Sequence, residues 1–370
     1  MKNPKGLYVH VPFCIKKCKY CDFISFCGCD DKFEAYIDML LEEAREYQNE
    51  KIDTVFIGGG TPTILNPELL DKLILGLRKN FDISFDAEFS VEANPKTLTK
   101  EKLLVLKNGG VTRLSIGVQS FSDDELKSIG RIHDAKSAYN TVCMVKDSGF
   151  SNINLDIMLS LPNQTEETLM NTLKTTVELE PSHISCYSLI LEEGTVLFRE
   201  YESGKYSYPE DEKDRELYHM AVEFLKNNGY NRYEISNFSK EGFSCRHNLK
   251  YWNCDEYIGL GISAHSYIDD IRKYNVSSLE DYLKGNFHDG NILTLSEKDK
   301  ISEYIIMRLR LLDGILEDEF YKRFGKKITD VFPDEIKKLT DSGLLIYDEK
   351  RYFLSDYGID ISNSVMCEFV

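Results

Sequence analysis

The chain has 370 residues, 42% hydrophobic and 29% charged, with 62 acidic against 45 basic side chains and a net charge of −17. That length supports more than one structural unit around a large core, and the acidic balance excludes nucleic acid as the main partner, because a phosphate backbone demands a basic footprint. No apolar run approaches the ~20 residues that span a bilayer, the opening "MKNPKGLYVHVPFC" lacks a signal-peptide core, and ten cysteines are too sparse for a disulfide scaffold. The expected location is the cytoplasm.

Through the first half, β-branched apolar runs alternate with helical patterns. The expected strands are "LYVHVPF" (7–13), "DTVFIGG" (53–59), "AEFSVEANP" (87–95), "TRLSIGVQS" (112–120), "NINLDIMLSLP" (152–162) and "HISCYSLIL" (183–191). Between them lie segments with apolar residues at three- and four-residue spacing, among them "PELLDKLILGLRKN" and "QTEETLMNTLKTTVELE". Asn66-Pro67 signals a helix start, and Gly109-Gly110 and Gly149 signal helix ends. Six alternations of strand and helix predict a parallel sheet with right-handed crossovers, either an open (βα)6 partial barrel or a doubly wound sheet.

Beyond about residue 210, "DEKDRELYHMAVEFLKNNGY" is a helix and "RYEISNFS" a further strand. From about 297 the chain reads as a small, mostly helical domain whose "LIYDEKRYFLSDYG" forms a hairpin, in the manner of a winged helix. The expected division is 1–205 for the partial barrel, 206–295 for an extension of it and 296–370 for the small C-terminal domain.

The chemistry-bearing residues fall where strands end: the cysteine loop after the first, "GGGTP" after the second, Glu92 at the third, Gln119 at the fourth and Asp156 in the fifth. In parallel α/β folds those ends form the active face. Cys14, Cys18 and Cys21 lie within eight residues. A cubane cluster normally takes four thiolates, so three leave one iron open to bind a small molecule directly. Zinc would need a fourth ligand from Cys27, Cys29 or a distant histidine, and ordinary unliganded cysteines remain the bland alternative.

C-x3-C-x2-C with Tyr20 before its last cysteine resembles the radical S-adenosylmethionine (SAM) enzymes. More narrowly, "YVHVPFC…CKYCDF", "GGGTPT", "VEANP", "RLSIGVQS", "GRIH", "LDIMLSLPNQT" and "RHNLKYW…YIGLGISAHS" resemble, in order across 7–267, the HemN/HemW family. This family comprises the oxygen-independent coproporphyrinogen oxidases and their heme-chaperone relatives. The resemblance implies a partial (βα)6 radical-SAM barrel, with a 4Fe–4S cluster on Cys14, Cys18 and Cys21 and SAM on the open iron. It also implies that Tyr8 and Tyr20 lie beside that ligand. Gly59, Gly60 and Thr61 would bring backbone near its amino group, glycine leaving the approach clear. Glu92, Gln119, Arg131 and Asp156 would hold SAM or a second molecule in the same cavity. Taken singly, each of these has an ordinary structural use: a surface ion pair for Arg131, satisfied polar groups for Gln119 and Asp156, a tight turn for the glycines.

Two features separate the branches. The oxidases resemble C-x3-C-x2-C-x-C, whereas Phe23 stands at the fourth position here, and only seven residues precede Tyr8. Both depart toward the HemW pattern and away from coproporphyrinogen decarboxylation. "HNLKYW" (247–252) matches the HNxxYW element linked to heme, which makes His247 a candidate axial ligand. On spacing alone the same residues cap a turn and fill core. The expectation is a heme chaperone carrying a cluster and SAM, with heme as cargo and heme-accepting proteins as partners, membrane-bound acceptors met peripherally. The alternatives are a radical SAM enzyme acting on a tetrapyrrole in porphyrin biosynthesis and a zinc-dependent α/β protein.

Overall fold

A computed structural model describes residues 3–370. Strand and helix alternate as β1 (Lys5–Val11), α1 (Phe33–Glu43), β2 (Lys51–Gly59), α2 (Pro67–Asn80), β3 (Asp82–Ala93), α3 (Lys100–Asn108), β4 (Arg113–Gln119), α4 (Asp123–Ser128), α5 (Ala135–Asp147), β5 (Asn152–Leu159), α6 (Glu166–Glu178) and β6 (His183–Ser188). The helices start where side chains can take orphan amides. Asn66 Oδ1 accepts from the Leu69 N–H at 2.8 Å, and Asp134 with Ser137, and Thr165 with Thr168, form reciprocal caps. The α2 stripe Leu70, Leu73, Ile74 and Leu77 is buried against the sheet.

Neighbouring strands pair in parallel in the order β1-β2-β3-β4-β5-β6. The order never reverses, so there is no switch point and the doubly wound alternative is excluded. The sheet is the wall of a partial barrel, with the helices outside and alternate side chains facing the lumen.

The segment after β6 supplies both edges. After α7 (Val196–Glu202) and α8 (Asp211–Asn227), β7 (Asn231–Arg232) and β8 (Asn237–Ser239) add antiparallel to β6. The chain then crosses to the other edge through α9 (Arg246–Trp252), and β9 (Tyr257–Leu260) pairs in parallel with β1. β10 (His265–Ile268), β11 (Ile271–Asn275), α10 (Leu279–Leu283) and β12 (His288–Thr294) continue outward, the strands antiparallel.

The remainder is α11 (Glu297–Arg308), β13 (Ile315–Leu316), α12 (Glu317–Phe324), α13 (Ile328–Val331), α14 (Pro333–Asp341), β14 (Leu345–Asp348), β15 (Arg351–Leu354), α15 (Asp356–Asp360) and α16 (Ser362–Cys367). Its three strands form a separate antiparallel sheet in the order β13-β15-β14. Ile305 and Leu309 share the main core. Arg323 donates to the Asn253 and Cys254 carbonyls at 2.8 and 2.7 Å, tying this region to the end of α9. Among the described residues no helix is long and apolar enough to cross a membrane.

Candidate functional site

The loop after β1 is fixed at both ends. The Cys14 N–H donates to the Phe26 carbonyl at 3.0 Å and the Phe26 N–H to the Pro12 carbonyl at 2.7 Å, so the loop returns beside its own start. From β2, the Gly60 and Thr61 N–H groups donate to the Val11 and Phe13 carbonyls at 2.9 and 2.8 Å. The GGGTP turn is thereby stitched to the cysteine loop.

The glycines of this turn also have a packing reason of their own. A Cβ on Gly59 would lie 2.4 Å from the His10 ring, and one on Gly60 would lie 2.6 Å from the Phe13 carbonyl oxygen. Gly59 also has φ 103°, a left-handed angle that favours glycine. What needs the missing side chains here is the chain's own packing.

All three thiols line one cavity of about 160 Å³, together with Tyr20, Gly59, Gly60, Thr61, Glu92, Gln119, Arg131 and Asp156. Cys14 Sγ lies 3.6 Å from Thr61 Oγ1, and Cys18 Sγ accepts from Arg131 Nη1 at 3.4 Å. Arg131 also donates through Nη2 to the Gly117 carbonyl, while its Nε is buried with no partner. Burial pushes the Cys14 thiol up and the Cys21 thiol to about 11, so both keep their protons until a metal displaces them.

A second cavity, of about 290 Å³, opens beneath the first and shares Phe23, Gly59, Glu92, Ser115 and Asp156 with it. Tyr8 lines it, its hydroxyl hydrogen-bonded to His10 Nδ1 at 2.9 Å. Glu92 accepts from the Gly59 N–H at 3.1 Å. Burial, then the nearby Asp156, push the Glu92 carboxyl up to about 7, against the Gly59 N–H and Arg113. Asp156 is raised too, by burial, although Asn154 donates to it at 2.6 Å. Gln119 sits in left-handed backbone at φ 68° and accepts from the Tyr187 hydroxyl at 3.3 Å. Strained non-glycine backbone of this kind clusters at ligand sites.

Of the thirteen residues expected at the site from the strand ends and the resemblance together, twelve line two adjoining cavities. His247 is the exception. It lies 1% exposed inside the lower barrel. Its Nδ1 is hydrogen-bonded to Thr54 Oγ1 and its Nε2 to the Tyr251 hydroxyl, both at 2.9 Å. Neither nitrogen is free for iron as folded, because α9 crosses the lumen and turns this face inward. Arg113, Ser115, Asn154, Ser185 and Tyr187 also line the site and were not anticipated. The signal was present: polar residues two apart in "RLSIGVQ", "NINLDIML" and "HISCYS" mark the lumen face of each strand.

The donor set suits a cluster and a charged sulfonium ligand. Three thiols on one cavity wall match three corners of a cube. The buried Glu92 and Asp156, both held toward their neutral forms, offer a cationic ligand two carboxylates to ionise against.

Comparison with known proteins agrees. Residues 8–176 match the family model of the radical SAM superfamily, and 295–361 that of the HemN C-terminal domain. The chain is 36% identical to the Lactococcus lactis heme chaperone HemW (100% of this chain, 98% of that protein) and 37% identical to the one from Bacillus subtilis (99% of each). The Escherichia coli HemW is 31% identical over 98% of this chain and 97% of its own. A solved Escherichia coli structure, described as coproporphyrinogen III oxidase (HemN), a radical SAM enzyme, superposes with TM-score 0.88 at 25% identity, covering 100% of this chain and 90% of that one. With three thiols, a carboxylate-lined cavity and full-length kinship agreeing, the chain belongs to the HemW family of the radical SAM superfamily.

Proposed function

We propose that this chain is a heme chaperone. It holds a 4Fe–4S cluster through Cys14, Cys18 and Cys21, binds SAM in the cavities lined by Tyr8, Tyr20, Gly59, Gly60, Thr61, Glu92, Gln119, Arg131 and Asp156, and carries heme to acceptor proteins. Membrane-bound acceptors are met from the cytoplasm. On this reading residues 1–205 carry cluster and SAM, 206–295 complete the barrel and 296–370 cover one side. The observation that carries the cluster and SAM part is the convergence of three thiols with a desolvated pair of carboxylates on one cavity. When bound, a 4Fe–4S cluster on these thiols would provide the one-electron reduction that sulfonium cleavage requires. The protein's own groups orient and neutralise: Arg131 lies beside Cys18, Glu92 and Asp156 face the cation, and Phe23 stands at the mouth.

The heme part is supported by the full-length relatives named as heme chaperones. His247 serves iron only if α9 gives up its bonds to Thr54 and Tyr251. Heme titration of His247→Ala tests this: an altered Soret band means that the imidazole reaches iron, and an unaltered band removes it from the ligand set.

The likeness to HemN supports a second reading, oxidation of coproporphyrinogen III. Anaerobic incubation with reductant, SAM and coproporphyrinogen III separates the two. The chaperone reading expects no catalytic formation of protoporphyrinogen, and multiple turnovers overturn it.

A further inference from the structure

A third cavity lies outside the lumen. It is a cleft of about 1030 Å³ between the end of β6 and α8 on one side and α15–α16 on the other. Tyr187 lines both this cleft and the cysteine cavity, so its ring is a shared wall. The two lumen cavities, about 160 and 290 Å³, are assigned to the cluster and SAM on the proposed reading, and pockets for a separate drug-sized ligand begin near roughly 300 Å³. The cleft exceeds that limit several-fold.

The cleft combines exposed apolar side chains with two arginines, Arg215 and Arg310, among five acids. Ile190 and Tyr357 line it and stand 68% and 64% exposed, two large side chains left in water. Arg310 also lines it. Its guanidinium stacks on the Trp252 ring at 4.6 Å, its Nε is buried with no partner, and its nearest carboxylate oxygen, on Glu234, is 3.8 Å away. Of the five acids that line the cleft, Asp214 is held by Ser160 and Arg215, Glu216 by Lys213 at 3.1 Å and Asp360 by His219 at 2.9 Å, while Asp211 and Glu212 are exposed to solvent. Arg310 is left as a positioned cation with donor capacity to spare.

A flat apolar ligand with carboxylate arms matches these walls. We propose that the cleft receives the tetrapyrrole cargo, its macrocycle between Ile190 and Tyr357 and a propionate on Arg310, which Trp252 holds in place. The inference rests on the heme-binding reading and adds the location. It gives the tryptophan of the HNxxYW element a role that does not require His247 to leave the lumen: backing a carboxylate-binding arginine through cation–π stacking.

The test is heme titration of the full chain by Soret absorbance. Ile190→Asp and Tyr357→Asp change exposed positions and should each raise Kd about tenfold, the worth of a lost apolar contact plus an opposing charge. Arg310→Ala should do likewise and Arg310→Lys should recover part of the loss. Leu104→Asp, at a 59% exposed site on α3 remote from the cleft, is the matched control and should bind as the parent does. Thermal midpoints show whether each variant is folded. Parent-like Kd in both exposed cleft variants overturns the location while leaving the chaperone reading intact. No Soret response in the parent overturns both.

Discussion

The two ends of one barrel lumen are built from the same strands and are both polar, yet they differ in what their polar groups do. At the upper end, where the strands finish, Arg131 Nε has no partner, Glu92 is held near neutrality and Gln119 is strained. At the lower end α9 acts as a plug. Glu88 takes the Arg246 and His247 N–H groups at 3.1 and 3.0 Å, Thr54 and Tyr251 bracket His247, and Lys250 pairs with Asp53 at 2.9 Å. Polar side chains in a lumen are not by themselves a site. Where the chain satisfies them they hold the fold, and where it leaves them short they await something else.

The largest effect belongs to the upper end. Changing Cys14, Cys18 or Cys21 to Ala should abolish iron–sulfur absorbance and bound iron after anaerobic reconstitution, while the apo chain unfolds at the parent temperature. A full cluster in any one variant would mean that the thiols are not its ligands. The lower end should answer in the opposite sense. Glu88→Ala strands two helix amides and takes an acidic neighbour from the buried Arg113, which should cost about 3–5 kcal/mol in urea unfolding with little effect on cluster content in the folded fraction. A cost below about 1 kcal/mol would show that α9 is not held as a plug.

This difference between the ends also marks how far the sequence could be read. Residues 67–80 were legible as a helix because Asn66, Pro67 and an apolar stripe agree, and the six parallel strands because short runs rich in β-branched and apolar residues alternate with helical patterns. The upper site was legible because its residues follow strand ends, a local signal. The pairing of β9 with β1 joins residues about 250 apart, and no periodicity encodes such a contact. It is that crossing that carries His247 into the lumen, so a motif correctly seen in "HNLKYW" received a neighbourhood the sequence did not reveal. The left-handed Gln119 was equally hidden, since nothing in "VQS" separates it from an ordinary strand end.

A smaller effect comes from pH. Glu92 has its folded value raised to about 7, so the apo fold binds the extra proton below that pH, and this contribution to stability is lost as pH rises from the unfolded value toward 7. Binding of a cation runs the other way, since it needs the carboxylate. Between pH 8 and 6 the ionised fraction falls from about nine-tenths to about one-tenth, so the Kd for SAM should rise about tenfold. Asp156, Arg113 and Arg131 line the same space, and burial raises Asp156 as well. Glu92→Gln should flatten the trend. A pH-independent Kd in the parent would mean that Glu92 does not meet the ligand's charge.

The smallest change separates plug from ligand most directly. Thr54→Val keeps the side-chain shape and removes only the hydroxyl bonded to His247 Nδ1. Burial drives that imidazole down to about 3, so it is neutral at any working pH, and the loss should be that of one buried neutral hydrogen bond, about 1–2 kcal/mol, with no pH dependence above about 5. If α9 serves only the fold, stability falls by that amount and the heme spectrum is unmoved. If instead the spectrum gains a histidine-ligated signature while stability barely changes, Thr54 was restraining an iron ligand, and the lower end belongs with the upper one as a place where the chain leaves a group for another molecule.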